Sequence, residues 1–324
     1  MAETLISDLM AYCFYISDDR KTVMCGYTSE PILANASSDL LYFSKEEDQD
    51  CLFRTVFFEK IEEMVRYGLI DLGEVGELIA RFLLILVMYS CQMNVFVDFP
   101  TTKKTSLNTI SVESFLNTML NIDLSSFSDD LLTGALFFNH FMGVEKKVNF
   151  KDIPMYYARC AAILCKTNNG GVDLILPVLL NNATFSFILV QVKFYSDQSS
   201  STTLENIIKC NPIRCGILME HENTIPYIAL VMELGGKKSE VSVPSVNGVQ
   251  HSIVVKGLSC YKSDKPLTET EISLINKLKN NNLADLHKKN SCNYNYLQDI
   301  VDPIHKEIHI SIIEPKYKKK RDNK

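Results

Sequence analysis

The stretch Gly171 to Lys193, GVDLILPVLLNNATFSFILVQVK, reads as two apolar strands joined by a short polar turn at Asn181-Asn182. Successive side chains of a strand point to opposite faces. On the second strand Phe185, Phe187, Leu189, Gln191 and Lys193 therefore share one face, and Ser186, Ile188, Val190, Val192 and Phe194 share the other. An amide and a lysine thus follow three apolar residues on one face of a segment apolar enough to be covered on both sides. Burying such groups without partners costs several kcal/mol, about 2–7 for the amide alone. A metal or phosphate site would offset that cost. The first strand carries one acid, Asp173.

Outward from this hairpin, the chain changes character near Met155. Downstream of it the pattern is short apolar runs of period two. Tyr156 to Cys165 reads as a strand, or as a short helix running into one. Thr203 caps a short helix, and Arg214–Glu220, Ile225–Leu234 and His251–Gly257 read as further strands. Thr268 to Leu286 is a helix with Thr268 as cap and Glu271 at capping-box distance. Ile304 to Ile313 alternates like an edge strand. Upstream the pattern is helical: Cys51–Tyr67, Asp71–Gln92, Ser111–Leu120 and Ser128–Phe141. The second of these has Asp71 and Glu74 at capping-box spacing and is apolar almost all round, so it should lie centrally. The regions are 1–150, helical and including the core-packing helix 71–92; 151–265, an α/β core; and 266–324, a C-terminal helix, edge strand and basic tail. The fold class is α/β, a helical N-terminal half packed on a central mixed sheet.

The chain has 324 residues, 46% hydrophobic and 22% charged, as expected of a globular protein with a sizeable core. Its most apolar run, Phe82 to Met88, is far shorter than the roughly 20 residues of a membrane span. No signal-peptide pattern opens MAETLISDLMAY, and the ten cysteines form no CxxC pair. Free thiols in a reducing compartment follow, hence an intracellular protein, nuclear or cytoplasmic. A net charge of −6 argues mildly against a protein coated in nucleic acid but leaves room for a local basic groove. The cluster Lys316-Tyr317-Lys318-Lys319-Lys320-Arg321 is either a nuclear-import signal, a phosphate-binding arm or a solvated terminus.

Asp173 followed by Gln191-Val192-Lys193 resembles the metal site of the PD-(D/E)xK nuclease-like superfamily, in which an Asp on one strand and an (E/Q)xK on the next hold a metal. The blocks GELIARFLLIL (76–86), RCAAILCKTNNGGVDLILPV (159–178) and FILVQVK (187–193) also resemble, in the same order, those of a set of uncharacterised fungal proteins. The resemblance implies a restriction-endonuclease-like αβββαβ core over 151–265 and its preceding helix. It implies Mg²⁺ as cofactor and DNA as substrate. Asp173, Glu77, the Gln191 amide oxygen and the Val192 backbone carbonyl would be the metal ligands. Asp173, Gln191, Lys193 and Glu77 would be the catalytic set, with Lys193 orienting the attacking water and offsetting phosphate charge. Mg²⁺ favours such oxygen ligands and keeps several waters.

Two departures bear on activity. Gln191 removes a negative charge at the second acidic position, and Val172 stands where the family name has proline. A catalytically inactive nuclease-like module that binds nucleic acid or protein is therefore the alternative. The residues alone allow a plainer reading: Gln191 bonds to backbone, Lys193 snorkels outward, and Asp173 pairs with Lys193 or Arg159. Glu77 has its own plain partner in Arg81, four residues on. His140 is read as a packed core histidine, and His305 and His309 as solvent-facing residues on the edge strand.

Register discriminates between these readings. Partners across a hairpin share a face. A two-residue turn at Asn181-Asn182 sets Asp173 opposite Val190, away from Gln191. A three-residue loop, Asn181 to Ala183, sets it opposite Gln191. The metal site requires the odd-length loop or a bulge.

Overall fold

The computed structural model describes residues 11–16, 23–27, 34, 52–66, 70–98, 109–144, 146–165, 171–194, 200–219, 225–236, 239–262 and 267–280. The edge strand and basic cluster expected beyond residue 300 lie outside these residues. The chain divides into two compact units, Met1–Thr28 with Ala284–Lys324, and Ser29–Leu283. In the first, β1 (Ala11–Ile16) pairs antiparallel with β2 (Val23–Tyr27), with an irregularity between Cys13 and Tyr15.

The second unit runs α1 (Leu52–Arg66), α2 (Leu72–Asp98), β3 (Ile110–Ser111), α3 (Val112–Met119), α4 (Asp129–Leu132), β4 (Ala135–Leu136), β5 (His140–Gly143), α5 (Ile153–Ala158), β6 (Ala161–Leu164), β7 (Leu174–Leu179), β8 (Phe185–Lys193), α6 (Ser200–Lys209), β9 (Tyr227–Glu233), β10 (Glu240–Ser242), β11 (His251–Lys256) and α7 (Glu269–Asn280). Strands β3 to β11 form one mixed sheet whose backbone is β10-β11-β9-β8-β7. The far edge of β7 is shared. β6 pairs with its start and β4 with its end, while β5 flanks β6 and β3 flanks β4. β7 runs antiparallel to β6 and β8, whereas β8, β9 and β11 are mutually parallel. The helix α6 makes the crossover from β8 to β9.

Alternation along β8 divides the core. Ile188, Val190 and Val192 belong to the cluster built with α2, α3 and α7, while Phe187 and Leu189 pack with Ile207 of α6 and with Cys210 just after it on the opposite face. The sheet is thus sandwiched between helices, and β8 and β9 are apolar on both sides as a covered parallel strand must be. Helix α2 is buried nearly all round, from Val75 through Leu84 to Cys91. Its start is the expected capping box: the Asp71 amide donates to Glu74 Oε2 at 2.8 Å and the Glu74 amide to Asp71 Oδ1 at 2.8 Å. It continues past the expected end at Gln92 to Asp98.

Two expected elements differ. Residues 128–141 form not one helix but α4, β4 and β5. Gly134 allows the chain to turn there: a Cβ on it would lie 2.7 Å from Val178 Cγ1, so only glycine lets β4 close onto β7. Residues 214–220 form no strand over their described part. Asn211 Oδ1 accepts the amides of Ile213 and Arg214, winding the segment into turns that bury Cys215, Ile217 and Leu218.

Gly76, one turn into α2, is where the helix meets the end of the sheet. A Cβ there would come within 2.7 Å of Phe194 Cβ and 3.5 Å of Val192 Cγ1. A glycine inside a helix normally costs about 1 kcal/mol relative to alanine, so Gly76→Ala should stabilise on propensity alone. The close approach reverses the sign. Overpacking costs about 1–3 kcal/mol, and Gly76→Ala should lower the urea midpoint of unfolding. A raised midpoint would show that the helix stands off the strand.

Candidate functional site

Between β7 and β8 the backbone bond of Leu180 to Thr184 encloses a loop of three residues, Asn181 to Ala183. The ladder runs from Leu179 opposite Phe185 to Leu174 opposite Val190. Leu180 donates its amide to Thr184 O at 2.8 Å, and Ala183 donates to Leu180 O at 3.0 Å. Ala183 takes the left-handed conformation, φ 61°, that closes such a loop. Asn182 Oδ1 accepts the Thr184 amide at 3.0 Å and reinforces it. The paired ladder stops at Leu174 and Val190, one residue short of Asp173 and Gln191.

Asp173 stands where the ladder ends. Its amide donates to Val190 O at 2.9 Å and its carbonyl accepts the Cys165 amide at 2.8 Å, so its backbone is tied to both neighbouring strands. Its carboxylate Oδ2 accepts the Val192 amide at 2.6 Å. Oδ1 has no hydrogen-bond partner among the described residues. Burial pushes the Asp173 carboxyl above its ordinary value, opposed by the Val192 amide bond and by the charge of Lys193. Lys193 is half-buried and forms no direct ion pair or hydrogen bond among the described residues.

Glu77 reaches the same region from α2. Its carboxyl is pushed up to about 7, first by burial and next by the negative charge of Asp173, with Arg81 pulling the other way. The expected ion pair with Arg81 is not formed. Arg81 Nε instead turns back along the helix and donates to the Glu77 main-chain carbonyl at 3.3 Å. The Glu77 carboxylate feels the charges of both Asp173 and Arg81, and Asp173 weighs more.

Gln191 is 2% exposed and its Oε1 is buried without a hydrogen-bond partner. It lies beside Gly171, whose φ of 112° and tight packing against Lys209 of α6 let the chain run over the amide. Such an oxygen costs about 1–3 kcal/mol to leave unsatisfied. The structure therefore gathers Asp173 with Val192 and Lys193, sets Glu77 within electrostatic reach of Asp173, and leaves Gln191 buried on the strand between Val190 and Val192. Among the described residues there is no group of three or more His, Cys, Asp or Glu that could hold a metal. Two carboxylates, an orphaned amide oxygen and a backbone carbonyl are hard oxygen donors of the kind Mg²⁺ accepts, and that donor set fits the ion.

Sequence reading missed the other charges at this end of the sheet. Glu233 ends β9, 4% exposed; Thr203 Oγ1 on α6 donates to its Oε1 at 2.7 Å. Lys256 ends β11 with its Nζ 4.0 Å from Glu233 Oε2. The signal was present: Tyr227 to Glu233 is an apolar strand closed by one acid, the pattern that singled out Gln191 and Lys193.

A family model described as a domain of unknown function, DUF8736, matches residues 1–257. The chain belongs to this family. The DUF8736 match ends at Gly257, one residue after β11, so it takes in the whole sheet and every residue of the candidate site, and leaves α7 outside. No curated protein matches the chain, and no solved structure does. No described helix is long and apolar enough to cross a membrane.

Proposed function

We propose that the chain is a metal-dependent phosphodiesterase of the restriction-endonuclease-like type acting on DNA. The observation that carries the reading is the buried, unpartnered Gln191 Oε1 next to Val192, whose amide the Asp173 carboxylate holds. The succession β6, β7, β8, α6, β9 supports it, since it follows the βββαβ part of the order that the resemblance implies, although the elements from β3 to α5 separate it from α2. Asp173, Glu77, Gln191 and the Val192 carbonyl would hold Mg²⁺. When bound there, the ion supplies a Lewis acid for the scissile phosphate and lowers the pKa of a water. Asp173 and Glu77 provide the negative charge that fixes the cation. Lys193, its ammonium uncommitted, offsets phosphate charge and orients the attacking water.

The second reading, a catalytically inactive module that binds DNA or protein, is favoured by the neutrality of Gln191. With Glu77 pushed up to about 7, its negative charge is only partial at neutral pH. Purified full-length chain with supercoiled plasmid and Mg²⁺ or Mn²⁺ tests the two. Nicking by the parent, reduced at least about 100-fold in Lys193→Ala and in Asp173→Ala, is the expected result. Either metal should also raise the melting midpoint of the parent but not of Asp173→Ala. A DNA mobility shift without cleavage would select the inactive module. Cleavage undiminished in both variants would remove the site from the reaction.

A further inference from the structure

Four strands end or begin at one rim of the sheet, and their last charges alternate in sign: Asp173 before β7, Lys193 on β8, Glu233 on β9 and Lys256 on β11. Lys193 stands opposite Glu233 in the β8–β9 register, and Glu233 stands opposite Lys256 in the β9–β11 register. Paired residues of parallel neighbours project to the same face, so Lys193, Glu233 and Lys256 form one row under α6. Lys193 has a carboxylate on each side, yet it pairs directly with neither among the described residues. Its charge is felt at Asp173. Glu233 is instead engaged by the Thr203 hydroxyl and by Lys256.

A carboxylate as buried as Glu233 needs a compensating cation. Two lysines are in register with it. Were Lys256 absent, Lys193 would be the remaining lysine in register with Glu233, and the low-dielectric setting under α6 would draw it across. We propose that Glu233, Thr203 and Lys256 are positioning residues: by occupying Glu233, Lys256 and Thr203 leave the Lys193 ammonium to Asp173. The inference rests on the proposed site only in that Lys193 works beside Asp173, and its test needs neither metal nor cleavage.

The test is the effect of Lys193→Met on the melting midpoint of the metal-free full-length chain, measured in four backgrounds. In the Lys256→Met background the midpoint should fall by about 2–4 °C more than in the parent, the shift that one newly formed buried ion pair gives in a domain of this size. The excess should vanish in Lys256→Arg, which restores the cation, and in Lys256→Met with Glu233→Gln, which removes the competitor. A purely structural role for Lys256 would lower all midpoints without creating this coupling. An equal effect of Lys193→Met in the parent and in Lys256→Met overturns the proposal: if large, Lys193 already pairs with Glu233, and if absent, the two never meet. Should Lys256→Met fail to fold, Thr203→Val frees the other oxygen of Glu233 and must show the same excess.

Discussion

Glu271→Ala is expected to cost about 3–5 kcal/mol of folding stability, the scale of breaking a buried ion pair by removing one partner. Glu271 is fully buried in the first turn of α7. Its Oε2 accepts the Thr268 amide at 2.7 Å, and the Thr268 hydroxyl accepts the Glu271 amide at 3.2 Å, which completes the capping box of that helix. The same carboxylate meets Arg54 of α1. Arg54 Nη2 donates to Oε2 at 2.9 Å, while Nε lies 2.7 Å from Oε1 at an angle too poor for a hydrogen bond. The guanidinium also sits 5.8 Å from the Phe82 ring centroid of α2, in a group where Phe57 stacks on Phe82 at 4.9 Å. One acid thus caps α7 and ties it to α1 over the central helix. Losing it strips the cap and leaves the Arg54 charge buried. Against a typical total of about 5–15 kcal/mol, that is a large share. Replacing both partners, Arg54→Met with Glu271→Leu, should be markedly milder than Glu271→Ala, because the buried guanidinium is removed together with its carboxylate. Urea unfolding of the three proteins checks this. Equal losses in all would show that the cap, and not the buried charge, sets the cost.

Glu271 also illustrates what sequence spacing conveys. Thr268 and Glu271 are three apart, so the cap was legible, just as it was for Asp71 and Glu74. The partner Arg54 lies 217 residues away and no local pattern points to it. The same division holds for the site. The alternation of apolar residues along β8 fixed which side chains accompany Gln191, and the alternative loop lengths framed the register. The deciding residue, Ala183, is not a glycine or asparagine, and nothing in its identity announces a positive φ. Residues 128–141 were misread because their polar-to-apolar spacing suits a helix, while pairing with β7 at Gly134 outweighs local preference. In residues 211–218 the Asn211-Pro212 turn signal was there, but the buried Cys215, Ile217 and Leu218 imitate a strand. Glu77 was placed correctly on α2, yet its expected partner was wrong, since an arginine four residues on can bond to the helix carbonyl as readily as to the side chain.

Because burial and the charge of Asp173 outweigh Arg81 at Glu77, folding of the metal-free chain should respond to pH in the neutral range. The carboxyl rises from 4.5 to about 7 on folding, so the folded chain favours its protonated form. That contribution is complete below about pH 4.5, declines as pH rises, and is gone above about 7. A difference of about 2.5 units corresponds to roughly 3 kcal/mol at most. Glu77 is only half-buried, and screening by solvent reduces this to about 1–2 kcal/mol. Asp173, also raised, changes stability in the same direction. The melting midpoint of the parent should therefore fall between pH 5 and 8, and Glu77→Gln should flatten that fall and melt higher than the parent at pH 8. A divalent cation held between the two carboxylates would relieve their repulsion, so millimolar Mg²⁺ should raise the parent's midpoint more at pH 8 than at pH 5, where protons compete for the same oxygens. In Glu77→Gln the gain should shrink at pH 8. An unchanged pH response in Glu77→Gln would mean that α2 does not bring this carboxylate to Asp173. An unchanged gain from Mg²⁺ would mean that Glu77 is no ligand, and the remaining donors, Asp173 with two neutral oxygens, would then have to hold the cation with a single negative charge.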